Sequence, residues 1–212
     1  FFEAEYIVNP DDGPLSKFDP KSYKDGSSVN IQETVTRNEY IDTVRKLQEH
    51  IVNGDIYEIN YCIEFFAEDV VLDPIKTFLK LSEVSPMPFS TMYKQGDCYL
   101  LCASPERFIK LDGQRIISQP IKGTIQRGEN NTEDQLQKDR LLNNEKERAE
   151  NMMIVDLVRN DLAKSAEVGS VKVDELFGIY TFENLHQMIS TVSAEAKTEI
   201  NPIEIIRNAF PM

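Results

Sequence analysis

The sequence predicts an α+β fold, antiparallel sheets flanked by helices, and three observations carry that prediction. Asp112-Gly113 sits between two strand-like runs, Phe108–Leu111 and Gln114–Ser118, the strongest short-range hairpin signal a sequence offers. Other stretches repeat apolar residues at the helical period and stand apart from the strand-like ones. The order is therefore hairpins beside separate helices, which favours α+β over a doubly wound sheet. A length of 212 residues suffices for one sizeable core and at most two small domains.

Along the chain, residues 1–35 read as a leading strand followed by a loop or linker, because 9–30 are rich in Asp, Pro, Gly, Ser and Lys. The body is expected over 36–212. Thr36 and Glu39 have the spacing of a capping box, Tyr40, Val44, Leu47 and Ile51 recur on one helical face, and Asn53-Gly54 ends that helix. Ile59, Tyr61, Ile63 and Phe65 then alternate with Glu58, Asn60, Cys62 and Glu64, which predicts a half-buried strand. Asp73-Pro74 opens a helix with Pro at its first position. Cys98–Ala103 reads as a buried strand ahead of the Asp112-Gly113 hairpin. From Thr132 to about Lys164 the pattern is helical, and Met152–Val158 is apolar enough to predict burial on every side. Val171–Val173 and Met188–Val192 suggest further strands. Asn201-Pro202-x-Glu204 caps a last helix carrying Ile203, Ile206 and Phe210.

A net charge of −13 repels phosphate backbones and anionic lipid, so nucleic acid and membrane surfaces are excluded as expected partners. No apolar run approaches eighteen residues, and Phe1-Phe2-Glu3-Ala4-Glu5 lacks the basic and apolar regions of a signal peptide. Cys62, Cys98 and Cys102 are odd in number and form no Cys-x-x-Cys, so buried free thiols in a reducing cytoplasm are expected. The absence of an initial Met and the stop at Phe210-Pro211-Met212 suggest part of a longer protein. An acidic chain can handle an anionic substrate only where local cations or a bound metal offset its charge.

Several residues could carry chemistry or support it. Lys122, between Ile121 and Gly123 in an apolar stretch, is either a lysine snorkelling from a strand end or a desolvated nucleophile, and residue type alone favours the first. Gly123 lets a ligand approach the backbone, and Thr124 offers a hydroxyl and an amide to a carboxylate. Glu147 and Glu150 share a helical face, where they either bind neighbouring cations such as Lys146 and Arg148 or hold a hard cation such as Mg²⁺. Glu106 could pair with Arg107 or act as a general acid. His186 precedes an apolar strand, His50 suits a helix C-terminus, and Asp156 with Arg159 reads as a buried supporting pair.

Taken together these segments resemble the chorismate-utilising enzymes. The resemblance rests on Gly54-Asp55-Ile56-Tyr57, Ser104-Pro105-Glu106-Arg107-Phe108, Pro120-Ile121-Lys122-Gly123-Thr124 with Arg127-Gly128, the run from Arg148 to Asp161, and Gly169-Ser170-Val171, in that order. It is strongest to the aminodeoxychorismate synthase component I group, the para-aminobenzoate and folate branch. Anthranilate synthases usually carry Ala where Lys122 stands. The resemblance implies a transferase of amino groups: Lys122 attacks C2 of chorismate as the 4-hydroxyl leaves with help from Glu106, and ammonia then adds at C4 and expels the lysine.

It also implies Mg²⁺ held by Glu150 with Glu147 near it, substrate contacts from Gly123 and Thr124, and a catalytic His186. The family often shows His-His or Met-His where His186-Gln187 stands, so either residue is open as the one facing the substrate. Its remaining motifs lie beyond Met212, which implies the first part of a catalytic domain, incomplete at its C-terminus and inactive alone. The resemblance implies ammonia from a glutamine amidotransferase subunit, and since no glutaminase motif occurs in the sequence that subunit is separate or absent. The alternatives are anthranilate synthase component I or another chorismate-utilising enzyme, and, from another class, an inactive ligand- or partner-binding fragment.

Overall fold

The computed structural model describes residues 29–56 and 59–210, so the leading strand and most of the linker fall outside the described residues. The chain divides into two compact units, Phe1–Thr77 and Phe78–Met212. None of the described helices is long and apolar enough to cross a membrane.

In the first unit, β1 (Gln32–Glu33) pairs antiparallel with β2 (Phe65–Phe66), and α1 (Arg37–Asn53) lies between them in sequence. The reciprocal cap at the start of α1 is present: Thr36 Oγ1 accepts the Glu39 N–H, and Glu39 accepts the Thr36 N–H at 2.9 Å. Gly54 closes the helix with φ at 80°, the left-handed conformation that costs glycine least. The strand expected from Ile59 shrinks to Phe65–Phe66, because β1 offers only two residues of backbone to pair with. Tyr40 and Tyr61 stack at 5.3 Å, so the alternating aromatic packs on α1 instead of joining a ladder. At the end of this unit α2 (Pro74–Val84) opens at Pro74, with Asp73 Oδ1 accepting the Ile75 and Lys76 N–H groups.

The second unit begins with a hairpin of β3 (Thr91–Gln95) and β4 (Cys98–Cys102). The strand is where the sequence places it, but Cys98, Tyr99 and Leu100 are exposed: a two-stranded ribbon has no second layer to bury them. The expected Asp112-Gly113 hairpin joins β5 (Arg107–Asp112) to β6 (Arg115–Gln119). Then follow β7 (Ile121–Gln126), α3 (Asn131–Leu142), α4 (Glu145–Ser165), β8 (Lys172–Thr181), β9 (Leu185–Glu195) and α5 (Pro202–Asn208).

β9 is the centre of a five-stranded antiparallel sheet. β6 and β7 follow one another along one of its edges with Pro120 between them, since Ser118 faces Val192 and Ile121 faces Ile189. β8 covers the other edge. Ile116, Val192 and Ala194 of the sheet pack under Val155, Val158 and Leu162 of α4, and Ile205 of α5 completes this core.

Two helical expectations need correction. The run from Thr132 is two helices, broken at Asn143-Asn144, where the Asn144 side chain caps α4 by accepting the Glu147 N–H. Met152–Val158 is not buried all round: Val155 and Val158 are enclosed, while Met152 is 46% exposed. The sheet covers one face of α4 and α5 packs beside its C-terminal end, while Met152 lies on the face turned away from the sheet.

Candidate active site

β7 does not pair regularly with β9. Ile121 faces Ile189 and Thr124 faces Gln187, so three steps along β7 match two along β9. The extra residue is a β-bulge at Lys122-Gly123, the kind of irregularity that re-aims a side chain. Gly123 has φ at 100°, and a Cβ there would come within 3.2 Å of both Glu147 Cβ and Leu141 Cδ1. Glycine is thus required twice, for its backbone and for its lack of volume. The same contact puts the stem of Glu147 directly against the bulge.

Glu106 precedes β5 and reaches across to β7, where its Oε1 accepts the Ile121 N–H at 3.2 Å. Lost hydration pushes its carboxyl above the usual carboxylate value, opposed by that hydrogen bond and by the charge of Lys122. Lys122 and Glu106 are therefore neighbours where β6 passes into β7. Next along β7, the Thr124 hydroxyl accepts from Gln187 Nε2 at 3.4 Å. Gln187 Oε1 is buried and has no protein partner.

Behind the bulge lies a buried polar cluster that sequence reading passed over. Asn151 Nδ2 donates to the carbonyls of Lys122 at 3.3 Å and Met188 at 3.2 Å, and Asn151 Oδ1 accepts from Ser190 Oγ at 2.6 Å. The available signal was a polar residue at a core position, since Asn151, Val155, Val158 and Leu162 share one face of α4.

His186 occupies a different setting. It is fully buried, with Nδ1 3.0 Å from Thr181 Oγ1 and Nε2 2.9 Å from Asp134 Oδ1. Asp134 also accepts from Arg127 Nε at 2.6 Å and from the Gly128 N–H at 3.0 Å. The Arg127 contact, first among these, holds the Asp134 carboxyl far below the usual carboxylate range. Both ring nitrogens of His186 are engaged in a clamp between α3 and β9. Asp134 and His186 stand 52 positions apart, so no local pattern announces the pair.

Glu147 and Glu150 both face Lys146, whose Nζ lies 3.8 and 3.1 Å from them. Hard carboxylate oxygens one helical turn apart suit Mg²⁺, which keeps several waters or substrate oxygens and needs few protein ligands. Among the described residues no group of three or more His, Cys, Asp or Glu gathers as a fuller cage. Asp156 and Arg159 do pair, at 2.9 Å, but on the exposed side of α4, which corrects the expectation of a buried pair. The buried acid of this helix is Asp161, bonded to Lys164 at 2.7 Å. His50 bonds Asp55 at 2.8 Å on the surface. Cys62 and Cys98 are free and exposed, where buried thiols were expected, because neither lies beneath a covering layer.

The sequence pattern of the chorismate binding enzymes matches residues 7–212. This chain belongs to that family. The family's fold is apparent in the coordinates too: anthranilate synthase component I from Streptococcus pneumoniae superimposes with a TM-score of 0.77 at 25% identity, over 92% of this chain and 43% of that one. Aminodeoxychorismate synthase component 1 of Escherichia coli is 39% identical over 180 residues, 85% of this chain and 40% of that protein. Aminodeoxychorismate synthase of Streptomyces griseus is 42% identical over 177 residues, 82% of this chain and 24% of that protein. The chain thus spans less than half the length of these chorismate binding enzymes.

Proposed function

We propose that this chain supplies part of the active site of an aminodeoxychorismate synthase, which replaces the 4-hydroxyl of chorismate with an amino group. The observation that carries the reading is Lys122 set in a bulge beside Glu106, whose carboxyl the surroundings push toward its protonated form. Similarity to aminodeoxychorismate synthases supports the choice of substrate and product.

In this reading the Lys122 amine forms a bond to C2 of chorismate, both ring double bonds shift by one position, and the C4–O bond breaks. Glu106 donates the proton with which the hydroxyl leaves as water. Ammonia then bonds to C4, both double bonds return, the C2–N bond to Lys122 breaks, and the ammonium formed at C4 gives its extra proton back to Glu106, so chorismate and ammonia give 4-amino-4-deoxychorismate and water. Gly123 and Thr124 contact the polar groups of the substrate. Bound Mg²⁺, held by Glu150 with Glu147 near it, would supply the cation for a substrate carboxylate that an acidic chain otherwise lacks. His186 serves by fixing β9 against α3, since both its nitrogens are engaged. Ammonia is drawn from a glutamine amidotransferase partner.

A second reading is anthranilate synthase, favoured by the structural likeness to component I of that enzyme. Lys122→Ala in the full-length protein separates the two. Amination at C4 should fall by roughly 10³-fold or more if Lys122 is the nucleophile. Unchanged formation of aminodeoxychorismate would rule out the covalent lysine.

A further inference from the structure

We propose that Asn151 is a positioning residue for Lys122, and that its enclosed amide holds open the bulge that presents the lysine; this rests on Lys122 being the nucleophile. A one-residue bulge leaves backbone groups without a ladder partner, and buried ones must be satisfied some other way. Asn151 does this with both hydrogens of one NH₂, donating to Lys122 O on β7 and Met188 O on β9. The two carbonyls come from the two strands on either side of the irregularity. Up to Ile121, β6 and β7 alternate regularly, and Ile116 and Ser118 face the helix layer. Continued alternation would send Lys122 the same way; the bulge interrupts it at that residue.

The orientation of the amide is itself fixed. Asn151 Oδ1 accepts from Ser190 Oγ at 2.6 Å, and Ser190 Oγ accepts the Phe177 N–H at 3.1 Å. Asn151 and Ser190 are both 0% exposed, so water cannot substitute for either partner. Phe177 has φ at 61° where β8 makes its own register shift between Glu175 and Gly178. One chain of hydrogen bonds therefore ties the irregular backbone on both edges of β9. An aliphatic residue could fill the volume of Asn151, but it would remove the donor that the Lys122 and Met188 carbonyls share and leave the bulge unheld.

The test compares three variants of the full-length protein supplied with chorismate, Mg²⁺ and ammonium: Asn151→Ala, Ser190→Ala and Val155→Ala. Val155 lies one turn further along α4 in the apolar core, so its truncation controls for lost packing. Asn151→Ala should lower kcat about 30- to 100-fold with KM for chorismate within about threefold, because misplacing a reacting group costs rate more than binding. Val155→Ala, assayed well below its melting temperature, should keep kcat within about threefold of wild type while losing stability. Amide hydrogen exchange at Gly123 and Thr124 should quicken about tenfold in Asn151→Ala and stay unchanged in Val155→Ala. If Asn151→Ala does not fold, Ser190→Ala carries the same comparison. Wild-type kcat in Asn151→Ala, or an equal loss in Val155→Ala, overturns the proposal. Should the wild-type protein fail to aminate chorismate, the functional reading falls by itself, and unchanged exchange at Gly123 and Thr124 then overturns the positioning role.

Discussion

Glu106 and Asp134 are carboxylates driven in opposite directions by their surroundings, and each gives a pH prediction. The Glu106 carboxyl is raised, chiefly by lost hydration, so its acid form persists to higher pH than that of a free carboxylate. Amination that uses its proton should decline as pH rises through that elevated value. Glu106→Gln should lower kcat by about 10²-fold and abolish this alkaline decline, as pH–rate profiles of the two proteins would reveal. The Asp134 carboxyl is depressed, chiefly by Arg127, so it stabilises the fold above the ordinary Asp range. That stability is lost as pH falls below about 4 toward the depressed value. Asp134→Asn should melt at a lower temperature near neutrality, yet lose less of its stability than wild type between pH 4 and 2.5 in thermal unfolding scans.

At the scale of elements, the bulge and the start of α4 act as one unit because Gly123 packs on Glu147. Gly123→Ala forces both a disfavoured φ and a tight contact. It should cost about 1–3 kcal/mol in denaturant unfolding and should slow amination as well. Asn144→Ala removes the cap that sets where α4 begins and should cost about 1 kcal/mol. What could be read from sequence here follows from locality. The caps at Thr36–Glu39 and Asn201–Glu204, Pro74 at a helix start and the Asp112-Gly113 turn are each decided within a few residues, and each is present. The break at Asn143-Asn144 was equally local, but the charged helical pattern on both sides masked it. β8 was seen only at Val171–Val173, because its register shifts twice between Val173 and Gly178 and breaks the regular alternation that marks a strand. Lys122, Glu106, Glu147 and Glu150 were singled out through the family resemblance, and the fold sets Glu106 on the Ile121 N–H and the stem of Glu147 against Gly123, the two neighbours of Lys122. The Asn151–Ser190 and Asp134–His186 pairs join residues 39 and 52 positions apart, so only the folded sheet reveals them.

For the molecule as a whole, the net charge of −13 and the anionic substrate of the proposed reaction would pull in opposite directions, and the site would have to resolve them. Lys122 and a cation at Glu147 and Glu150 would do so together. Amination by the full-length protein should therefore be lost on chelation of divalent metal and restored by added Mg²⁺, as an activity titration would record. The family is settled by the match over residues 7–212, and the reaction proposed within it rests on Lys122. The most direct test identifies the product formed from chorismate by the full-length protein with Mg²⁺ and ammonium, by chromatography and mass spectrometry. The account predicts 4-amino-4-deoxychorismate from wild type and almost none from Lys122→Ala. Anthranilate or isochorismate as the wild-type product, or undiminished amination by Lys122→Ala, would contradict it.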